Sequence, residues 1–375
     1  MEIKIVTITG ESNYGNSLQN YAVKTVLENL NNNVETIKTE YEPNFKKINI
    51  TNIKNFVKII LKRSNYLQIL RAVKFKKFSN KNLNKSKFVC RESKPELNSK
   101  CDLLVFGSDQ IWNFTWGGRI CNNINYYTGD FAYDIPKIAY SASIGSDYIP
   151  EKYQETFVNN ISKFKYISVR EHRAQNIITE LLDIKAEVTV DPTLMLDKSD
   201  WMKIAKKPKY IKKNDKFILT YFLGTKNEEY YDYIDSIAKE KNLRIIKLDM
   251  ERLDYNSIEN PKCFVTDPSE FIWLIANCEI VFTDSFHGSV FSILMQRPFR
   301  CFNRKDNGVE SMSSRMDTLF GMLNITDWCI GNINENIEHV FYKDYSNTQC
   351  ILERERKFAL NYLRRALNSD ENRKK

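Results

Sequence analysis

Residues 279–299, Glu-Ile-Val-Phe-Thr-Asp-Ser-Phe-His-Gly-Ser-Val-Phe-Ser-Ile-Leu-Met-Gln-Arg-Pro-Phe, decide the fold of this chain. The apolar run Ile280–Thr283 predicts a buried strand, Asp284–Gly288 a tight polar turn, and the remainder a helix that ends before Pro298. The turn places His287 where the carboxyl end of a strand meets the first free N–H groups of a helix. In open α/β sheets ligands bind at that edge, and a helix N-terminus attracts anions. A histidine that only caps the helix is the alternative, although the chain has just three histidines.

The same alternation of strand-like and helical runs continues along the whole chain. It predicts crossover connections and parallel sheets, and therefore an α/β fold. We expect two doubly wound, Rossmann-like domains, at 1–195 and 216–345, that face each other across a cleft and are joined by a linker at 196–215. The last segment, 346–375, predicts a charged amphipathic helix that packs back on the body. Within the second domain, Cys263–Val265 is interpreted as a strand.

The composition indicates a globular chain. A length of 375 residues suits two hydrophobic cores, and 42% apolar and 13% aromatic residues are sufficient to fill them. The start of the chain lacks the features of a signal peptide, and no apolar run approaches the ~18 residues that cross a bilayer. Eight cysteines without a C-x-x-C pair argue against a zinc site and a disulfide framework. We expect a cytoplasmic protein with reduced thiols and neither metal nor cofactor.

The positive charge of the chain is concentrated in residues 45–87. This segment holds thirteen Lys or Arg residues and no Asp or Glu, whereas the whole chain carries a net charge of +9. Apolar residues recur within it at spacings of three and four, which predicts amphipathic helices with a basic outer face. Such a face favours an anionic membrane surface or a phosphate-bearing partner, and the alternative is a solvated helical insertion. Nucleic acid is not expected, because no nucleic-acid-binding motif accompanies the charge.

Two polar loops follow predicted strands of the first domain. Gly10-Glu-Ser-Asn-Tyr-Gly has the glycine spacing of a phosphate loop, but Asn16-Ser replaces its Lys-Ser/Thr pair, which argues against ATP. The loop is still suited to hydrogen-bonding a sugar or phosphate, unless it is an ordinary strand–helix turn. The second loop carries Asp109, a candidate base towards a hydroxyl, followed by Gln110. Trp112, further along this loop, offers a flat face for a sugar ring.

Two arginines lie at the start of predicted helices. Arg170, in Ser168-Val-Arg-Glu, and Arg315, in Ser313-Ser-Arg, can each form paired hydrogen bonds with a carboxylate or phosphate. The alternatives are an ion pair between Arg170 and the neighbouring Glu171, and a surface salt bridge at Arg315.

Taken together and in order, these motifs resemble the polysaccharide pyruvyl transferase family. The resemblance covers roughly residues 3–325, without the basic segment and the last helix. The motifs that carry it are Asn13-Tyr-Gly-Asn-Ser-Leu-Gln-Asn-Tyr-Ala, Gly107-Ser-Asp-Gln-Ile-Trp-Asn, Ser141-Ala-Ser-Ile-Gly, Ser168-Val-Arg-Glu, Val190-Asp-Pro-Thr, Thr283-Asp-Ser-Phe-His-Gly and Ser313-Ser-Arg.

The resemblance implies two domains like those of the GT-B glycosyltransferases, with the acceptor on the first, the donor on the second and the active site between them. It implies transfer of the pyruvyl group of phosphoenolpyruvate to two hydroxyls of a sugar, in a cell-surface polysaccharide or its lipid-linked precursor, giving a cyclic ketal. On this resemblance His287 is the catalytic acid, Asp109 the base and Arg170 a substrate ligand. The other expected substrate contacts are Asn16, Gln110, Ser141, Ser285, Gly288, Ser289 and Arg315.

One position departs from the family pattern. Several members carry an arginine two residues before the histidine, where this chain has Ser285. Part of the anion-binding site must then come from elsewhere, and Arg304 and Arg315 are the candidates. Two other functions stay open: a nucleotide-sugar glycosyltransferase on the same fold, and a non-catalytic glycan-binding subunit. Against the first, the predicted helix after His287 offers no Asp or Glu to hold a ribose, while Ser285 keeps the second open.

Overall fold

The computed structural model describes residues 1–9, 12–38, 63–89, 101–132, 134–248, 260–304 and 313–368. The strands of these residues form two separate parallel sheets, one of seven strands and one of four. The predicted fold class, α/β with two doubly wound parallel sheets, is confirmed. The boundaries drawn between the domains stay a prediction.

The first sheet has the strand order β3-β2-β1-β4-β5-β6-β7. Its strands are β1 (Glu2–Val6), β2 (Asn33–Lys38), β3 (Lys85–Val89), β4 (Leu103–Phe106), β5 (Lys137–Ala142), β6 (Tyr166–Val169) and β7 (Glu187–Val188). The central strands β4 and β5 are buried along their whole length, as expected where helices cover both faces of a parallel sheet. The chain extends the sheet from β1 in one direction and from β4 in the other, so a crevice opens at their carboxyl ends.

The second sheet repeats this arrangement with the strand order β11-β10-β8-β9. Its strands are β8 (Phe217–Tyr221), β9 (Arg244–Lys247), β10 (Ile280–Thr283) and β11 (Phe299–Cys301). The point where the strand order reverses lies between β8 and β10. The strand predicted at Ile280–Thr283 is confirmed with the same bounds.

The helices cover both faces of the sheets. Those before the second sheet are α1 (Tyr14–Asn29), α2 (Arg63–Asn82), α3 (Gly118–Asn122), α4 (Ile124–Tyr127), α5 (Glu151–Ile161), α6 (His172–Leu182), a 3₁₀ turn (Pro192–Met195) and α7 (Lys198–Ile204). Those that follow are α8 (Glu228–Glu240), α9 (Pro261–Phe264), α10 (Pro268–Asn277), α11 (Phe286–Leu294), α12 (Ser313–Leu323), α13 (Thr326–Cys329), α14 (Ile337–Val340) and α15 (Thr348–Leu367).

One sequence interpretation is corrected by local capping, and the predicted linker is found to contain a helix. Cys263–Val265 is not a strand, because the side chain of Asn260 accepts a hydrogen bond from the Lys262 N–H and Pro261 occupies the first turn, which starts helix α9. The predicted linker at 196–215 contains helix α7, which begins with a reciprocal capping box between Asp197 and Asp200.

The basic segment is only partly within the described residues, since 45–62 lie outside them. Helix α2 has the predicted amphipathic character, but its apolar face is turned inwards: Leu67, Phe75 and Phe78 are buried against the body. Lys76 and Lys77 are exposed on the outer face. The segment ends in an edge strand, β3, rather than in a helix.

Helix α15 crosses back from the second sheet to the first, as predicted. The Tyr362 hydroxyl donates to the Ala139 carbonyl at 2.6 Å, within the first sheet. Arg356 donates to the carbonyls of Leu194 and Leu196 at 2.6 and 3.0 Å, in the turn that follows the first sheet. The C-terminal helix therefore completes the core of the first domain.

In the described part of the chain, no helix has both the length and the apolar character to cross a bilayer. The seven cysteines in that part are all free thiols.

Candidate active site

The candidate site lies where the strand-reversal points of the two sheets face each other. Helix α1 follows β1 and is capped by Asn13, whose side chain accepts from the Asn16 N–H at 3.2 Å. Helix α11 follows β10 and is capped by Ser285, whose side chain accepts from the Gly288 N–H at 3.3 Å. The two helix N-termini meet at Gly15 and His287: a methyl group added to Gly15 would come within 2.2 Å of the imidazole Nδ1.

His287 is the second residue of α11 rather than part of a turn, because the Ser285 cap starts the helix earlier than predicted. The imidazole is 7% exposed, and its Nε2 atom makes no hydrogen bond within the described residues. This nitrogen lies 3.8 Å from Asp191 Oδ2. Ser285 caps the helix and carries no charge, so any cation of the site must come from other residues.

The buried Asp191 links the two halves of the site. Its Oδ2 accepts from Arg170 Nη1 at 2.6 Å and from the Ser108 hydroxyl at 3.2 Å. Its Oδ1 accepts from the backbone N–H and hydroxyl of Thr193 at 2.9 and 2.5 Å. Arg170 therefore makes its close hydrogen-bonded pair with Asp191, whereas the nearest carboxylate oxygen of its neighbour Glu171 is 4.0 Å from Arg170 Nε.

Asp109 approaches the same arginine from the end of β4. Its Oδ1 atom is 4.0 Å from Arg170 Nη2 and accepts from the Gln110 N–H at 2.9 Å. Its backbone has a left-handed φ of 62°, which turns the loop back under the sheet edge. The Gln110 side chain donates to the Gly145 carbonyl at 3.4 Å, so Gln110 supports this loop.

Phe286 brings a second arginine next to the first. The guanidinium of Arg170 lies 4.3 Å from the centre of the Phe286 ring, and that of Arg315 lies 5.8 Å from the same centre. Arg304, the other candidate cation, donates to the Asp284 carbonyl at 3.1 Å and lies 3.5 Å from its carboxylate. The structure thus groups three arginines around the start of α11.

The electrostatics of the site follow from burial and this grouping. Burial, together with the positive charges of Arg170 and Arg304, lowers the pKa of Arg315 to about 9. Burial also lowers the pKa of His287, against the opposite effect of Asp191 and Asp109. Burial raises the pKa of Asp191, but the Arg170 guanidinium and the hydrogen bond from the Thr193 side chain outweigh it, and the pKa is held below its usual value.

Several predicted site residues are buried and hold the backbone around the site. Ser141 is fully buried and its hydroxyl donates to the carbonyls of Thr189 and Val190, so it holds the strand end before Asp191 instead of facing the cleft. A side chain at Gly288 would come within 2.5 Å of the Thr283 hydroxyl, which explains the glycine.

The remaining predicted residues differ in how accessible they are. Ser289 is fully buried in α11, with its hydroxyl next to the Cys301 thiol. Asn16 lies half-buried in the first turn of α1, beside Gly15. Trp112 is not a sugar platform: it is fully buried, packs edge-on against Phe157 and donates to the Tyr127 carbonyl.

The central position of Asp191 was not predicted from the sequence. The residue stands in the motif Val190-Asp-Pro-Thr, directly after a strand-like run, and that position was the available signal. No group of three or more His, Cys, Asp or Glu side chains within the described ranges is arranged to hold a metal ion.

Comparison with known proteins adds the following findings. A family model described as "Polysaccharide pyruvyl transferase" matches residues 13–307. No curated protein matches the sequence. Similar solved structures include UDP-GlcNAc 2-epimerase from Methanocaldococcus jannaschii, with 12% identity over 94% of this chain and 98% of that chain and a TM-score of 0.45. UDP-GlcNAc 2-epimerase from Neisseria meningitidis bound to UDP-GlcNAc has 10% identity over 97% of this chain and 100% of that chain, with a TM-score of 0.47. MurG from Acinetobacter baumannii has 10% identity over 98% of this chain and 94% of that chain, with a TM-score of 0.40.

Proposed function

Because the chain belongs to the polysaccharide pyruvyl transferase family, which matches residues 13–307, we propose that it transfers the pyruvyl group of phosphoenolpyruvate to two hydroxyls of one sugar. The product is a cyclic ketal on a cell-surface polysaccharide or on its lipid-linked precursor. The family resemblance read from the motifs is confirmed, whereas the donor and the ketal are part of the proposal.

The observation that carries the proposal is a set of buried polar atoms in the cleft without partners. Nε and Nη2 of Arg170 and Nε2 of His287 are buried, and within the described residues they make no hydrogen bond. A buried polar group left unsatisfied costs about 1–3 kcal/mol, so a ligand that supplies oxygen acceptors is favoured here. Phosphoenolpyruvate offers such oxygens at both ends, on its carboxylate and on its phosphate.

The arginines around Phe286 suit the charge of that donor. Burial and the charge of Arg170 both lower the pKa of Arg315, and an anion that enters between Arg315 and Arg170 relieves the repulsion between them. The N-terminus of α11 adds the positive end of its helix dipole at the same place. We assign Arg170 and Arg315 to the two anionic ends of the donor, with Arg304 behind them.

The proton transfers of the reaction can be assigned to His287 and Asp109. The first sugar hydroxyl adds to C2 of the donor while C3 takes a proton from His287, which turns the methylene into a methyl group. Asp109 accepts the proton that the hydroxyl loses. The second hydroxyl then bonds to C2 as the C2–O bond to phosphate breaks, and its proton leaves with the phosphate. Asp191 stays ionised throughout and holds Arg170 in place.

The lowered pKa of His287 sets a condition on this mechanism. In the empty site the imidazole is neutral near pH 7, and a neutral imidazole is too weak an acid to protonate carbon. A bound donor brings negative charge next to the ring, and nearby negative charge raises the pKa of a histidine. We therefore propose that donor binding generates the imidazolium.

The exposed lysines of α2 support a place for the enzyme at the cytoplasmic face of a membrane. Since the apolar face of α2 is buried in the protein, contact through this helix would be electrostatic, at about 1 kcal/mol per cation near an anionic surface. Co-sedimentation with phosphatidylserine-containing vesicles should fall with added salt and in a Lys76→Glu, Lys77→Glu variant. Equal recovery on neutral vesicles would leave α2 as a solvated helix.

Donor binding and turnover test the function. Calorimetry with phosphoenolpyruvate should give saturable binding without any acceptor, while UDP-sugars should give none. With synthetic sugar and lipid-linked acceptors, phosphate release should match the appearance of a ketal methyl signal in the proton NMR spectrum. Transfer from a nucleotide sugar instead would establish a glycosyltransferase, and glycan binding without any turnover would establish a non-catalytic subunit.

A further inference from the structure

Arg71 of α2 is buried where the two domains meet. The residue is 2% exposed, and it donates to the Ser12 carbonyl at 2.7 and 3.2 Å, to the Tyr14 hydroxyl at 3.0 Å and to the Phe264 carbonyl at 2.5 Å. Its guanidinium also lies 4.6 Å from the centre of the Tyr14 ring and 4.8 Å from that of Phe75. A single cation from the basic segment thus joins the loop before α1 to helix α9 of the second domain.

The residue held by Arg71 is itself inserted into the second domain. The Tyr14 ring stacks on Phe271 with centroids 4.5 Å apart and an interplanar angle of 11°, and it meets Tyr221 edge-on at 5.5 Å. Its hydroxyl donates to the Thr266 carbonyl at 3.2 Å. The next residue, Gly15, is in contact with the His287 imidazole, with no space for even one methyl group between them. The position of the Tyr14 side chain therefore sets the distance between α1 and the imidazole.

We propose that Arg71 is a positioning residue for His287, acting through Tyr14 and Gly15. Its planar guanidinium reaches three acceptors from two domains at once, which fixes the start of α1 against the start of α11. Loss of these bonds leaves the Ser12 and Phe264 carbonyls without their donor and frees α1 to move. Any such movement of α1 displaces the imidazole directly, because Gly15 and His287 are in close contact with no space between them. The effect on catalysis rests on the proposed function, whereas the effect on the imidazole does not.

The kinetic test compares Arg71→Met with Arg354→Met, which removes an exposed arginine from helix α15. A misplacement of about 1 Å costs on the order of 10²-fold in rate, so kcat for pyruvyl transfer should fall about 10- to 100-fold in Arg71→Met. KM for phosphoenolpyruvate should stay within about threefold, since Arg170 and Arg315 are untouched. Arg354→Met should leave both kcat and KM unchanged, and Arg71→Lys should recover only part of kcat. An unchanged kcat in Arg71→Met would overturn the proposal.

The structural test needs no activity. In protein labelled at histidine and glycine, only three imidazoles contribute, and His287→Gln identifies the signal of interest. The nuclear Overhauser effect between Gly15 Hα and His287 Hε1 should be strong in the wild type and in Arg354→Met, and lost or weakened in Arg71→Met. If that variant fails to fold, Tyr14→Phe, which keeps the ring and removes the hydroxyl, should weaken the same signal. An unaltered signal refutes the proposal, while a lost signal in a protein without transferase activity would refute only the proposed function.

Discussion

Replacing Gly15 by alanine should inactivate the enzyme without unfolding it. The new methyl group would lie 2.2 Å from Nδ1 and 2.7 Å from Cε1 of His287, whereas ordinary contacts begin at 3.4 Å. The imidazole must therefore withdraw by more than about 1 Å, a displacement worth on the order of 10²-fold in kcat. Gly15 lies inside α1, where alanine favours the helix by about 1 kcal/mol and the overpacking costs about 1–3 kcal/mol. The free energy of unfolding should thus fall by no more than about 2 kcal/mol.

The assay is steady-state phosphate release together with chemical denaturation of the same samples. Gly321→Ala is the matched control, because Gly321 also lies within a helix and an added methyl group there meets nothing within 4 Å. That variant should be slightly more stable than the wild type and fully active. If Gly15→Ala kept kcat within about threefold of the wild type while folded, the contact between α1 and His287 would not govern catalysis.

Three further predictions concern His287 and the donor site. His287→Ala should lower turnover by roughly 10²–10⁴-fold with an unchanged far-UV circular dichroism spectrum. Near-normal pyruvyl transfer would show that His287 is not the catalytic acid. Arg315→Ala should weaken phosphoenolpyruvate binding by ~1.5–3 kcal/mol in calorimetry, while the exposed Arg354→Ala should not; equal affinities would place Arg315 outside the site. Since burial lowers the pKa of His287 in the folded protein, the unfolded chain takes up this proton first as the pH falls below about 6.5, and stability is lost. Between about pH 8 and 5 the free energy of unfolding should fall more steeply in the wild type than in His287→Gln. Parallel curves would contradict the lowered pKa of His287.

The parts of the molecule that depend on local pattern could be predicted from the sequence. The run Ile280–Thr283 is long enough and apolar enough to specify a buried strand, and the spacing of apolar residues in the last segment specifies the helix Thr348–Leu367. Helix α9 could not be predicted in this way, because Cys263–Val265 is apolar enough for a strand and only the Asn260-Pro cap decides for a helix.

The site was predictable as a set of motifs but not as a geometry. The pairing of Arg170 with Asp191 joins residues 21 positions apart at the ends of neighbouring strands, and the adjacent Glu171 was an equally plausible partner until the fold was known. Glu171 instead accepts from the backbone N–H groups of Ile144 and Gly145. Trp112 has an amphipathic ring that is equally common on surfaces and in cores, so its sequence position carried no signal for burial.

The return of helix α15 to the first sheet has a consequence for folding during synthesis. A ribosome completes β1 to β7 long before it synthesises Arg356 and Tyr362, yet these two side chains close the core around Ala139 and the turn after Asp191. The core of the first domain therefore stays incomplete until the second domain has been synthesised. Domains made of contiguous chain, in contrast, fold in the order of their synthesis. A nonsense codon before residue 348 would consequently damage the amino-terminal half of the cleft, and that half would be completed only after Arg356 and Tyr362 have been synthesised.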